Sequence, residues 1–169
     1  MRRILGIDPG SRITGYGIVD SDGVRSGHVA SGCIRLGDGA MADRLGAIFA
    51  AVQDLVRQFE PRELAVEQVF VARNAAAALK LGQARGAAIC AAVSAGMTVS
   101  EYAPRAIKQA VVGTGRAEKP QVQHMVRLIL GLDAEPAEDA ADALAVALAH
   151  AHTDATLRQL PGRGRGGTR

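Results

Sequence analysis

The spacing of apolar residues shifts along the chain from a strand-like to a helical period. Residues 3 to 8, 13 to 20 and 24 to 36 are rich in Ile, Val and Gly, with turn residues between them at Pro9-Gly10 and Ser21-Asp22-Gly23. That pattern predicts a three-stranded meander. From Met41 to Phe59 the positions Leu45, Ile48, Phe49, Val52, Leu55, Val56 and Phe59 recur at helical spacing, and Pro61 stops the helix. A short strand LAVEQ (64 to 68) follows, then a long Ala-rich helix from about 74 to 95 and a strand MTVSEYA (97 to 103). Further helices are expected near 104 to 112, 119 to 131 and 137 to 152. A meander followed by alternating helix and strand implies an α/β protein with a mixed sheet and helices on its faces. No internal repeat interrupts this order.

Composition sets the bounds. A chain of 169 residues with 48% hydrophobic content fits one domain with a sizeable core and leaves no room for a second catalytic domain. The folded domain is expected to span residues 1–156. Residues 157–169, which end in PGRGRGGTR, read as a basic, disordered tail. No stretch of about 18 residues runs without polar interruption, so no membrane span is expected and the location is read as cytoplasmic. Cys33 and Cys90 lack the close partners of a zinc or redox motif and read as reduced thiols.

Three segments place acids where packing would favour aliphatic side chains. Asp8 closes the apolar strand ILGID, and Glu67 closes LAVEQ in the same way. Two strands of one sheet therefore end in carboxylates, at the edge where α/β sheets gather their chemistry. In EDAADALAVALAHAH the helix is apolar on all sides between 140 and 149 except at Asp142, so Asp142 has no solvated face to occupy. Asp139, three residues earlier, can share its direction; Glu138, four residues earlier, can as well. Singly, Asp8 could initiate a turn and Glu138 and Asp139 could complement the helix dipole. Brought together without basic partners, the same acids would repel by several kcal/mol, and a divalent cation removes the conflict. Oxygen-only ligands favour Mg²⁺ or Mn²⁺. With four acids engaged, 20 Lys and Arg face 17 − 4 = 13 remaining acids, a balance that suits a polyanion.

Five blocks, GIDPGSRITGYG (6 to 17), EQVF (67 to 70), ALKLGQARG (78 to 86), EYAPRAIKQAVVGTGRAEKPQVQHMV (101 to 126) and DAADALAVALAHAH (139 to 152), resemble in order the RuvC family of bacterial Holliday junction resolvases. The resemblance implies an RNase H-like, five-stranded mixed sheet flanked by helices on both faces. It also implies a homodimer that nicks two strands of a four-way DNA junction symmetrically, with RuvA and RuvB as branch-migration partners. By the same resemblance Asp8, Glu67, Asp139 and Asp142 are the catalytic carboxylates, holding two Mg²⁺ ions with Mn²⁺ as substitute, and Asp139 is chosen over Glu138. Lys108 and Lys119 match lysines near the scissile phosphate, and Phe70 matches an aromatic that stacks on unpaired bases at the crossover. The products implied are 5′-phosphate and 3′-hydroxyl ends.

Weaker signals complete the picture. Arg73, Lys80 and Arg85 are candidate phosphate contacts, although a solvated helix face explains them equally. Gly82 and Gly86 cost helix stability and suggest close approach of another helix or of DNA, and the resemblance assigns this helix to the dimer interface. His150 and His152 read as residues of the helix end, and His124 has no assigned role. Two other enzyme classes share the strand-end Asp and Gly-rich turn: RNase H-like RNA-processing nucleases, and actin-like ATPases, which need a second large domain. An inert junction-binding module is the non-enzyme alternative.

Overall fold

In the computed structural model, which describes residues 1–68 and 74–159 (the side chains of 154–159 excepted), the meander is β1 (Arg2–Asp8), β2 (Ile13–Ser21) and β3 (Ser26–Arg35). β1 pairs antiparallel with β2, and β2 with β3. On the other side of β1 lie β4 (Glu63–Glu67) and β5 (Thr98–Tyr102), both parallel, which gives the order β3-β2-β1-β4-β5. The mixed five-stranded sheet expected from the sequence is therefore formed. The ladder between β1 and β4 ends at Ile7–Val66. Asp8 and Glu67 are thus the first residues past the shared hydrogen bonds.

Five helices cover the two faces: α1 (Met41–Phe59), α2 (Ala75–Ser94), α3 (Pro104–Val112), α4 (Lys119–Leu130) and α5 (Glu138–Gln159). Alternation along the strands sorts the core. Leu5, Ile7, Ile18 and Leu64 pack against Ile48 and Val52 of α1 and the alanines of α2. Ile4, Val19 and Ala65 face the opposite way, onto α3, α4 and α5. Local signals mark the helix ends. The Asn74 side chain accepts from the Ala77 amide at the start of α2, Glu118 and Gln121 form a reciprocal cap on α4, and α3 and α4 end at Gly113 and Gly131 in the left-handed region.

α5 is the central buried helix. Residues Ala140, Ala141 and 143 to 149 are at most 2% exposed, with Leu144 and Leu148 at 0%. Each such leucine contributes roughly 1.5–3 kcal/mol by leaving water. The sheet beneath α5 is floored with glycine. A methyl group built on Gly6, Gly15 or Gly17 would come within 3.0 Å of Ala143, Asp139 or Leu144 respectively, so α5 lies almost directly on the backbone of β1 and β2.

One boundary differs from expectation. α5 continues to Gln159, so residues 157–159, assigned to a disordered tail, are helical. No Gly or Pro interrupts TDATLRQ before Pro161, so nothing in the sequence stops the helix earlier. Residues 160–169 lie outside the described residues. No described helix is long and apolar enough to cross a membrane.

Candidate active site

Four carboxylates share one side of the sheet because of parity and the glycine floor. Asp8 follows Ile4 and Gly6 on the face of β1 that meets α5, and Glu67 follows Ala65 on the same face of β4. α5 carries Asp139 and Asp142 down onto that face through its contacts with Gly15 and Gly17. Asp8, Glu67 and Asp142 line a cavity of about 370 Å³ together with Gln68, Leu81 and Lys119. A neighbouring recess of about 210 Å³ shares Glu67, Asp142 and Lys119 and adds Lys108.

The acids are electrostatically coupled. Burial pushes the Asp8 carboxyl up to about 7, and the negative charges of Asp142, Glu67 and Asp139 add to the rise, with Lys119 opposing it. Burial likewise raises Glu67, helped by Asp142 and opposed by Lys119 and Lys108. Asp142 is raised chiefly by burial, against the pull of Lys119. Lys119 sits at the first position of α4, where its Nζ donates to Glu138 Oε1 at 2.6 Å and to Asp142 Oδ2 at 3.4 Å. Its ammonium is held charged mainly by Glu138, whose exposed carboxyl is lowered in return. Glu138 is thereby engaged as the partner of Lys119, while Asp139 acts on Asp8.

Among the described residues, no three carboxylate, imidazole or thiol groups are close enough to hold a metal ion as they stand. The acids wall a basin and do not form a closed cage. Charge and donor type nevertheless fit a hard divalent cation: every donor is an oxygen, and Asp8 is under a penalty that only added positive charge or a proton relieves.

The other sequence-derived residues fall in different places. Lys80 is exposed on α2. Arg85 is not free toward solvent: its Nη2 meets Glu101 Oε2 at 2.6 Å, and its Nε donates to the main-chain carbonyl of Glu67 at 3.1 Å. Phe70 and Arg73 lie outside the described residues. His150, read from sequence as an ordinary helix-end residue, is buried. Its Nε2 lies 2.6 Å from Glu63 Oε2 and its Nδ1 2.7 Å from the Tyr102 hydroxyl, while Arg2 also contacts Glu63 at 2.9 Å. The available signal was a histidine continuing the all-apolar run of α5, where an unsatisfied ring would be costly. Sequence reasoning also missed the roles of Gly6, Gly15 and Gly17.

The comparisons agree with this fold. Residues 4–150 match the family model described as crossover junction endodeoxyribonuclease RuvC. The protein of that name from Alkalilimnicola ehrlichii is 62% identical over 152 residues, covering 90% of this chain and 92% of the relative. That from Shewanella amazonensis is 56% identical, covering 96% and 94%. Among solved structures, Thermus thermophilus RuvC in complex with a Holliday junction substrate superposes with a TM-score of 0.87 at 36% identity, covering 92% of this chain and 96% of that chain. The yeast mitochondrial Holliday junction resolvase shares the fold, with a TM-score of 0.67 at 14% identity. Neither the RNA-processing nor the ATPase alternative retains support, and the chain belongs to the RuvC family of crossover junction endodeoxyribonucleases.

Proposed function

We propose that the chain resolves four-way DNA junctions by paired, symmetric nicks, with Asp8, Glu67, Asp139 and Asp142 as the metal-holding carboxylates of each subunit. The observation that carries this reading is Asp8: a carboxyl pushed up to about 7 by burial and by three neighbouring acids, at the wall of an open cavity. Members of the family are metal-dependent nucleases, and the oxygen-only donors favour a hard cation such as Mg²⁺, with Mn²⁺ as substitute; the family resemblance supports two ions. Bound there, divalent cations supply activation of a water nucleophile and stabilisation of the departing 3′ oxygen, leaving 5′-phosphate and 3′-hydroxyl ends. Lys119 and Lys108, beside the acids, would hold the scissile phosphate and offset its developing charge. Phe70 would stack on an unpaired base at the crossover, with Arg73 and Lys80 as outer phosphate contacts.

The homodimer reading rests on α2. Leu79 and Val93 are 71% and 56% exposed, and no atom lies within 4 Å of where a Cβ on Gly82 or Gly86 would point. Among the described residues nothing accounts for glycine in mid-helix, whereas a second α2 packed on this stripe would. Family membership supports RuvA and RuvB as partners and a cytoplasmic location.

The test is cleavage of a mobile four-way junction. Asp8→Asn and Asp142→Asn are expected to bind the junction in Ca²⁺ as the parent chain does, and to lose Mg²⁺-dependent cleavage by about a hundredfold or more. Near-normal cleavage by either folded variant would refute the assignment.

A further inference from the structure

We propose that Arg85 is a positioning residue for Glu67, anchored by Glu101, and not a DNA contact. The inference rests on the reading of Glu67 as a metal ligand. Glu67 is the last residue of β4, one step beyond the ladder that joins β4 to β1. Its main chain lies beside Tyr102 of β5, and the Gln68 amide donates to the Tyr102 carbonyl at 2.9 Å. Arg85 approaches from the opposite face. Its Nε donates to the Glu67 carbonyl at 3.1 Å, and its Nη2 pairs with Glu101, the neighbour of Tyr102, at 2.6 Å. One guanidinium therefore ties the ends of β4 and β5 together from behind, while the Glu67 carboxylate faces the cavity in front.

Two features separate this role from phosphate binding. The Arg85 side chain is only 19% exposed, and its charge is already met by Glu101. The two bonds also use the planar fork of arginine, in which Nε and Nη2 address different acceptors at a fixed angle; a lysine ammonium cannot reproduce that geometry. Fixing the carbonyl of Glu67 fixes the peptide from which its side chain starts, which is how supporting groups tune a metal ligand they do not touch.

The experiment compares Arg85→Lys, Glu101→Gln and Glu67→Gln in the full chain. Three readouts are taken: Mn²⁺ binding without DNA, by the electron paramagnetic resonance of free Mn²⁺; junction affinity in Ca²⁺ across a salt series; and single-turnover cleavage against Mg²⁺ concentration. R85K and E101Q are expected to weaken Mn²⁺ binding and to raise the Mg²⁺ concentration for half-maximal cleavage by about tenfold. Junction affinity and its salt slope should match the parent chain. A weaker, less salt-dependent affinity for R85K, with the slope reduced by about one, would make Arg85 a phosphate contact and overturn the proposal. E101Q removes a negative charge, so any loss of cleavage it causes cannot come from weaker attraction to DNA. Unchanged Mn²⁺ binding by R85K and E101Q beside a defective E67Q would overturn positioning alone, as would a lower urea midpoint with normal Mn²⁺ binding per folded molecule. Normal Mn²⁺ binding by E67Q would overturn the ligand reading, and the proposal with it.

Discussion

Asp8 bears a penalty to which burial and every neighbouring acid contribute, and that penalty has a measurable sign. Folding raises its carboxyl from an ordinary 3.8 to about 7, so across that window the folded chain binds more protons than the unfolded chain. Its contribution to stability therefore falls as pH rises from about 4 to 7. In EDTA at pH 8, Asp8→Asn is expected to be more stable than the parent by roughly 2 to 4 kcal/mol in urea unfolding, a difference that shrinks toward pH 4. Mg²⁺ at 1,000 times Kd should cancel or reverse that difference, because binding at that level adds about 4.1 kcal/mol to the parent. Asp8, Glu67 and Asp142 stood out in the sequence since each interrupts an apolar run, whereas Asp139 was separated from Glu138 only by the family resemblance. Arg85 and His150 were not legible, because their partners Glu101 and Glu63 lie 16 and 87 positions away in the chain. A periodic pattern reports which face a side chain takes, and it carries no information on which distant group it meets.

At the scale of elements, α5 is held at both ends of the sheet. The glycine floor sets its depth near the acids, and the bond from His150 to Glu63 sets its position at the far end of β4. Gly15→Ala must displace Asp139 or the strand, with an expected loss of about 1 to 3 kcal/mol and reduced cleavage. Gly27→Ala in β3 meets nothing within 4 Å and serves as the control, with a change near zero. His150→Ala removes a buried ring and leaves the half-buried Glu63 carboxylate with Arg2 alone, which should cost about 3 kcal/mol in urea unfolding, while cleavage per folded molecule stays close to normal. Periodicity and caps placed α3 at its observed bounds and the other helix starts within a residue or so. The end of α5 was misplaced because the composition of PGRGRGGTR outweighed the absence of a stop signal before Pro161. The glycines read as turn and strand residues because the helix resting on them lies more than a hundred residues downstream.

For the whole molecule, the exposed stripe of α2 and the acid-lined cavity have separate tasks in the proposed function. Leu79→Glu combined with Val93→Glu is expected to yield a monomer in analytical ultracentrifugation. On a cruciform plasmid such a monomer should release nicked circles where the dimer yields linear product. The position of α5 in the chain has a further consequence. Asp8 belongs to β1, whereas Asp139 and Asp142 belong to α5, more than a hundred residues later in the chain. Because α5 seats on Gly6, Gly15 and Gly17, a nascent chain holds Asp8 and Glu67 but lacks the other two acids and exposes Ile4, Val19 and Ala65. On the proposed reading, in which cleavage needs all four acids, a chain synthesised in this order gains activity only once α5 has been delivered. Until then its bare glycine-floored face is a surface for chaperones.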